Sequence, residues 1–107
     1  MIHVIATVEL NPDTRSKFLA EFIKLTPHVH AEEGCIEYGA ALDIPTGIAV
    51  QVAARPDVVT IVEKWTSLEA LKAHLIAPHM WPYRKRVKPF VIRTSLQVLA
   101  PVTEVSK

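Results

Sequence analysis

The chain has 107 residues, half of them apolar, and 12 Lys and Arg against 11 Asp and Glu give a formal charge of +1. That fits one domain spanning 1–107 with a single core, and it excludes the broad basic surface that nucleic acid or an anionic membrane requires. Eight Pro with only three Gly exclude a linker or low-complexity chain, and the lone Cys35 excludes an internal disulfide framework and any Cys-based zinc cage.

Ile2 to Leu10 alternates with a period of two, Ile2, Val4, Ala6 and Val8 on one face and His3, Ile5, Thr7 and Glu9 on the other. This predicts a strand whose second, more polar face borders a cavity or a wet interface. Asn11-Pro12-Asp13 is a helix-start signal, with Asn11 as N-cap and Pro12 at the first helical position. Phe18, Leu19, Phe22, Ile23 and Val29 then recur at near-helical spacing, opposite Lys17, Glu21 and Lys24. Pro27 removes a backbone donor, which predicts a kink with helix resuming to about Glu32, before Gly34 stops it.

Cys35 to Asp43 reads as a second strand, Ile36, Tyr38, Ala40 and Leu42 on one face and Cys35, Glu37, Gly39 and Ala41 on the other. Ile44-Pro45-Thr46-Gly47 is a break, Ile48 to Ala54 is a short extra strand or a continuation after a bulge, and Arg55-Pro56-Asp57 is another turn. Val58 to Trp65 is the most β-branched run, with Val59, Ile61, Glu63 and Trp65 sharing a face. Thr66-Ser67-Leu68-Glu69 offers a capped start for a short amphipathic helix, and Pro78 and Pro82 make Ala77 to Arg86 a broken or second short helix. Phe90 to Leu99 is a last strand with Phe90, Ile92, Leu96 and Val98 nearly aligned, and the tail after Pro101 is expected to fray.

The order strand, helix, strand, strand, helix pair, strand predicts an α+β ferredoxin-like sandwich: a four-stranded antiparallel sheet with its helices on one face. Nothing in the chain is left to cover the other face, whose outward set includes Ile5, Val59 or its neighbours, and apolar residues of the last strand. A second copy is the simplest cover, so a symmetric homodimer with sheet packed on sheet is expected. No segment approaches the ~18 apolar residues of a membrane span. The opening Met-Ile-His-Val lacks the basic and apolar regions of a secretory signal, and a cytoplasmic protein is expected.

Glu33-Gly34-Cys35-x-x-Tyr38, then Glu63-x-Trp65, then Ser67-Leu68-Glu69-Ala70-Leu71-x-x-His74, in that order and spacing, resemble the antibiotic biosynthesis monooxygenase domain family and its quinol monooxygenase-like members. The resemblance covers nearly the whole chain. It implies a dimeric α+β barrel and an O2-dependent attack on phenols or hydroquinones without metal, flavin or haem. The stretch 43–57 is longer than the family's usual connection, which is expected to reshape the pocket entrance. Haem-degrading relatives carry an Asn in the first strand and a later His ligand; here His3 and Thr7 are the first-strand candidates and no His follows His79, so haem chemistry is not implied.

His74 matches the family's His after Leu-x-x-His. An imidazole there suits a base for a phenolic proton, or ties the short helix to the sheet, with Glu63 as its expected partner. Glu63 and Trp65, two apart on a strand, share a face. The carboxylate either orients His74 or pairs with a neighbouring base, and the indole either walls an aromatic pocket or fills core. Tyr38 is a neutral donor to a substrate oxygen, or a core aromatic. His3 is a further substrate-binding candidate. His79, Met80, Trp81 and Tyr83 form an aromatic stretch that acts as a lid or pocket wall, or seals a dimer edge, with His79 and Trp81 as the binding candidates.

His28-x-His30-x-Glu32-Glu33 does not read as a metal site, since helix positions two apart point in different directions. Arg84-Lys85-Arg86-x-Lys88 is a solvated helix end. No phosphate loop, nucleophile elbow or His-Glu-x-x-His helix occurs, so neither cofactor nor metal is expected. The function the resemblance implies is a cofactor-independent monooxygenase acting with O2 on a small aromatic molecule, a phenol or quinol, with His74, Glu63 and Tyr38 as the catalytic candidates. The alternatives are an isomerase-like enzyme shuttling protons on a small carbonyl metabolite, and a non-catalytic small-molecule-binding dimer.

Overall fold

The computed structural model describes residues 1–104. The elements in chain order are β1 (Ile2–Leu10), α1 (Arg15–His30), β2 (Cys35–Ala41), β3 (Val58–Trp65), α2 (Leu68–Leu75), α3 (Met80–Val87) and β4 (Val91–Leu99). The strands form one antiparallel sheet ordered β2-β3-β1-β4, the ferredoxin-like α+β arrangement that the alternation predicts. One face of β1 (Val4, Ala6, Val8) and of β3 (Val59, Ile61, Glu63, Trp65) is buried beneath Phe18, Phe22, Leu25 and Val29 of α1 and Leu71 of α2. Val59 is therefore a core residue, and Val58, Thr60, Val62 and Lys64 make up the outward face of β3.

The entry to α1 differs from the sequence expectation. Asn11, Pro12 and Asp13 form a turn with Asp13 at φ +64°, and Thr14 occupies the N-cap position. Asn11 is diverted from capping because its backbone N–H donates to the Phe90 carbonyl at 2.8 Å and its side-chain amide donates to the Pro89 carbonyl at 3.2 Å. Helix and last strand are thus tied at one corner. Pro27 neither breaks nor restarts the helix, which runs unbroken to His30. The carbonyl it would have satisfied, that of Ile23, accepts instead from the Thr26 hydroxyl at 2.9 Å.

Two bulges change the expected strand faces. The pairing of β2 with β3 slips between Cys35 and Glu37, which leaves Ile36 as the extra, exposed residue. Cys35 and Tyr38 therefore face the helices together, opposite Trp65 and Glu63. In β4 the slip falls at Ile92, so Val91, Thr94, Leu96 and Val98, not Phe90 and Ile92, share the helix-facing side. On that side of β4, Thr94 is exposed and Leu96 remains 45 % exposed.

β2 stops at Ala41, and no strand forms within 48–54. There the backbone serves local turns: Gln51 N–H donates to the Ile48 carbonyl at 3.1 Å, and its side-chain amide donates to the Ile44 carbonyl at 2.5 Å. Asp43 closes the base of this loop by accepting from Arg55 Nε at 2.8 Å and Arg55 N–H at 3.0 Å. At the other end of the chain, Pro101–Glu104 makes a turn, and the Glu104 carboxylate meets the N-terminal amine at 2.7 Å. The rest of the tail expected to fray lies outside the described residues.

Gly34, at φ +84°, closes the turn between α1 and β2, and its carbonyl accepts from Thr66 N–H at 2.9 Å. A Cβ there would lie 2.6 Å from Ala70 Cβ and 2.7 Å from Thr66 Oγ1. Gly34→Ala is expected to destabilise the fold by about 2–4 kcal/mol, from left-handed strain plus overpacking. Gly47→Ala has open space and bears the strain alone, about 1–2 kcal/mol. Urea denaturation of the two variants measures the difference.

Candidate active site

A cavity of about 550 Å³ lies between the helices and the helix-facing side of the sheet. Ala6, Val8 and Ile61 form its floor, and Phe18, Met80, Tyr83 and Val87 cover it. Thr94 and Leu96 mark its open side along β4, where Arg84 and Lys88 stand at the rim. At the far end from this rim, Tyr38, Glu63 and His74 meet.

His74 reaches that end because Ser67 caps α2, its hydroxyl accepting from Ala70 N–H at 3.1 Å. This start places Leu71 and His74, three apart, on the buried side of the helix. The ring is only 2 % exposed, lies with its centroid 4.7 Å from that of Trp65, and meets Tyr38 edge-on at 5.3 Å. Nδ1 lies 2.9 and 3.1 Å from the two carboxylate oxygens of Glu32. Burial pushes the imidazole pKa below its ordinary 6.5, opposed by the hydrogen bond and charge of Glu32, so the ring is neutral at pH 7. Since a carboxylate only accepts, Nδ1 carries the hydrogen and Nε2 is the bare nitrogen.

Glu63, expected to orient His74, is engaged elsewhere: its Oε1 accepts from Trp65 Nε1 at 2.9 Å. Burial raises the Glu63 carboxyl to about 6, against the lowering effect of that hydrogen bond. Trp65 is fully buried behind the cavity and does not line it. Tyr38 does line it, its ring stacked on Phe22 at 5.3 Å, and burial moves its phenol well above the ordinary 10. Tyr83, across the cavity, is likewise raised by burial. Both phenols are therefore neutral donors.

The remaining candidates lie apart from the cavity. His3 is on the opposite face of the sheet, paired with Lys64 and Leu99. Trp81 is 63 % exposed on α3, with the Arg84 guanidinium carbon 5.7 Å from its ring centroid. His79 turns to a second groove on the outer side, stacked on His28 at 5.8 Å, while its Nε2 donates to Glu32 at 2.6 Å. His30 donates from Nε2 to the Tyr38 carbonyl at 2.8 Å, so His28 and His30 diverge. Among the described residues no three His, Cys, Asp or Glu side chains converge as a metal site, and no helix is long and apolar enough to cross a membrane.

Glu32 is the partner of His74 that the sequence conceals. It lies 42 residues from His74, on a turn, within a run whose only visible signal is a misleading metal-like spacing.

The family model described as antibiotic biosynthesis monooxygenase matches residues 1–86. The chain is 37% identical over 103 residues to the protein named Probable quinol monooxygenase YgiN of Escherichia coli (strain K12), which covers 94% of this chain and 98% of that protein. Among solved structures, Rv0793 from Mycobacterium tuberculosis is 29% identical with a TM-score of 0.76, covering 98% of each chain. PA3566 from Pseudomonas aeruginosa superposes with a TM-score of 0.76 at 19% identity, over 94% of this chain and 93% of that one, a likeness of fold.

The raised carboxyl of Glu63 has a stability consequence. A folded pKa of about 6 against an ordinary 4.5 means that the fold favours the neutral acid. That contribution is complete below 4.5 and lost as pH rises through about 6, a change of about 2 kcal/mol. Glu63→Gln keeps an acceptor for the Trp65 indole and removes the titration. Its stability relative to the wild type should therefore rise by about that amount between pH 4.5 and pH 7.5, as read from urea midpoints.

Proposed function

The chain belongs to the antibiotic biosynthesis monooxygenase family, and on that premise we propose that it oxidises small phenols or quinols with O2, using no cofactor. The observation that carries this reading is the neutral His74 imidazole, held by Glu32 through Nδ1 with Nε2 bare, at the inner end of a cavity floored by apolar side chains. The name borne by the Escherichia coli relative is consistent with it.

In this reading a quinol enters from the β4 side and lies between the floor and α3. His74 Nε2 takes the proton of one hydroxyl, which leaves a quinolate electron-rich enough to reduce O2 directly. One electron passes to O2, the radical pair joins at a ring carbon, and the His74 proton goes to the resulting peroxide. Loss of water then leaves one oxygen atom on the ring. Quinol plus O2 gives hydroxyquinone plus water, so atoms and electrons balance. Tyr38 is the neutral hydrogen-bond donor to the substrate oxygen that gains charge. Glu63, with its second oxygen clear of the indole, accepts from the other hydroxyl. The volume of about 550 Å³ is in the range of small-molecule sites.

We also propose that the chain works as a homodimer in which the outer sheet face, with Ile5 beside Val62, meets its counterpart on a second copy. Sedimentation should then return twice the monomer mass; a monomer at all concentrations contradicts it.

Oxygen uptake with a panel of quinols tests the chemistry. His74→Ala should lower kcat by ~10²–10⁴-fold, and Tyr38→Phe by about tenfold. Uptake that neither variant alters removes both roles, and turnover of a small carbonyl compound without O2 points instead to proton shuttling.

A further inference from the structure

The His74 ring is itself buried, at 2 % exposure, yet its carboxylate partner leads outward. Glu32 Oε2 lies 2.9 Å from His74 Nδ1 and 2.6 Å from His79 Nε2. His79, with 26 % of its side chain exposed, borders a separate groove of about 470 Å³ between α1 and α3. We propose that His74, Glu32 and His79 form a proton-conducting chain joining the buried end of the cavity to solvent at the α1–α3 groove, with His79 as its outer terminus. The proposal rests on the base role of His74 argued above.

Holding the tautomer of His74 requires only one acceptor. A carboxylate that also grips a second, solvent-facing imidazole by a shorter contact does more than hold. Each imidazole can take a proton at one nitrogen and release one at the other, and a carboxylate can pass it between them. When His74 takes the substrate proton at Nε2, its Nδ1 proton moves to Glu32. From there it passes to His79 once that ring holds its own hydrogen on Nδ1. When His74 later gives its Nε2 proton to reduced oxygen, the same steps run inward and restore Nδ1–H. No net proton is consumed.

The charged and titratable neighbours are consistent with this route. Tyr38 from β2, Glu63 from β3 and Arg84 from α3 surround the inner end. At the groove, Glu21 holds both Lys24 and Arg86. Of the residues lining it, His28 and His79 are the imidazoles.

The test is the exchange of the His74 Nδ1 proton with water, followed by NMR in nitrogen-15-labelled protein. His79→Gln keeps a donor to Glu32 but cannot relay a proton, and Glu32→Gln cannot ionise. Both should slow the exchange at least tenfold. In weakly buffered medium His79→Gln should also lower oxygen uptake several-fold, and added imidazole should restore it. Exchange at the wild-type rate in both variants overturns the chain, whatever oxygen uptake shows. Slowed exchange in a protein that oxidises no quinol leaves the chain standing and overturns only the oxygenase reading.

Discussion

Burying an imidazole forfeits its hydration, and the fold recovers part of that loss through one contact, Glu32 to His74 Nδ1. Desolvation alone keeps the ring neutral, whereas the carboxylate fixes which nitrogen bears the hydrogen and which way the ring faces. Without that contact the inner end of the cavity would hold a neutral ring of undetermined tautomer beside a raised carboxyl. With it, a defined lone pair is presented at the place where Tyr38 and Glu63 also point.

The contact depends on backbone geometry far from any chemistry. Glu32 sits two residues before Gly34, and His74 sits one helical turn beyond Ala70. The space a Cβ would need at Gly34 is occupied by Ala70 and Thr66, so the glycine lets the start of α2 dock against the turn that carries Glu32. The Ile36 bulge contributes from the sheet side by turning Tyr38 toward the helices alongside Cys35. Thr26, by satisfying the carbonyl that Pro27 orphans, keeps α1 continuous to the point where the chain must turn. Glycine, bulge and proline thus act together, each setting the direction of a side chain at the cavity.

Much of the fold was legible because alternation and helical spacing are local signals. The strand Val58–Trp65 and the capped start at Ser67 follow from neighbours in sequence, and so does the placement of Glu63 and Trp65 on one face. The failures have a common cause. Asn11 reads as a cap, but a partner nearly 80 residues away engages it. Strict alternation puts Tyr38 with Ile36, and only the pairing with β3 reveals the slip. Glu63 looks like the partner of His74 because both carry chemistry, yet the indole two residues on takes that carboxylate. His3 and Trp81 are the right residue types on the wrong faces, since sequence reports the alternation of a face but not which side the helices cover.

The orientation of His74 is the central claim, and the nitrogen-15 NMR spectrum of its ring tests it most directly. At neutral pH the account predicts a neutral imidazole with the hydrogen on Nδ1 and an unprotonated Nε2, reversed or scrambled when Glu32 is replaced by Ala. A ring protonated on Nε2 in the native protein would contradict it, because no bare nitrogen would then face the cavity.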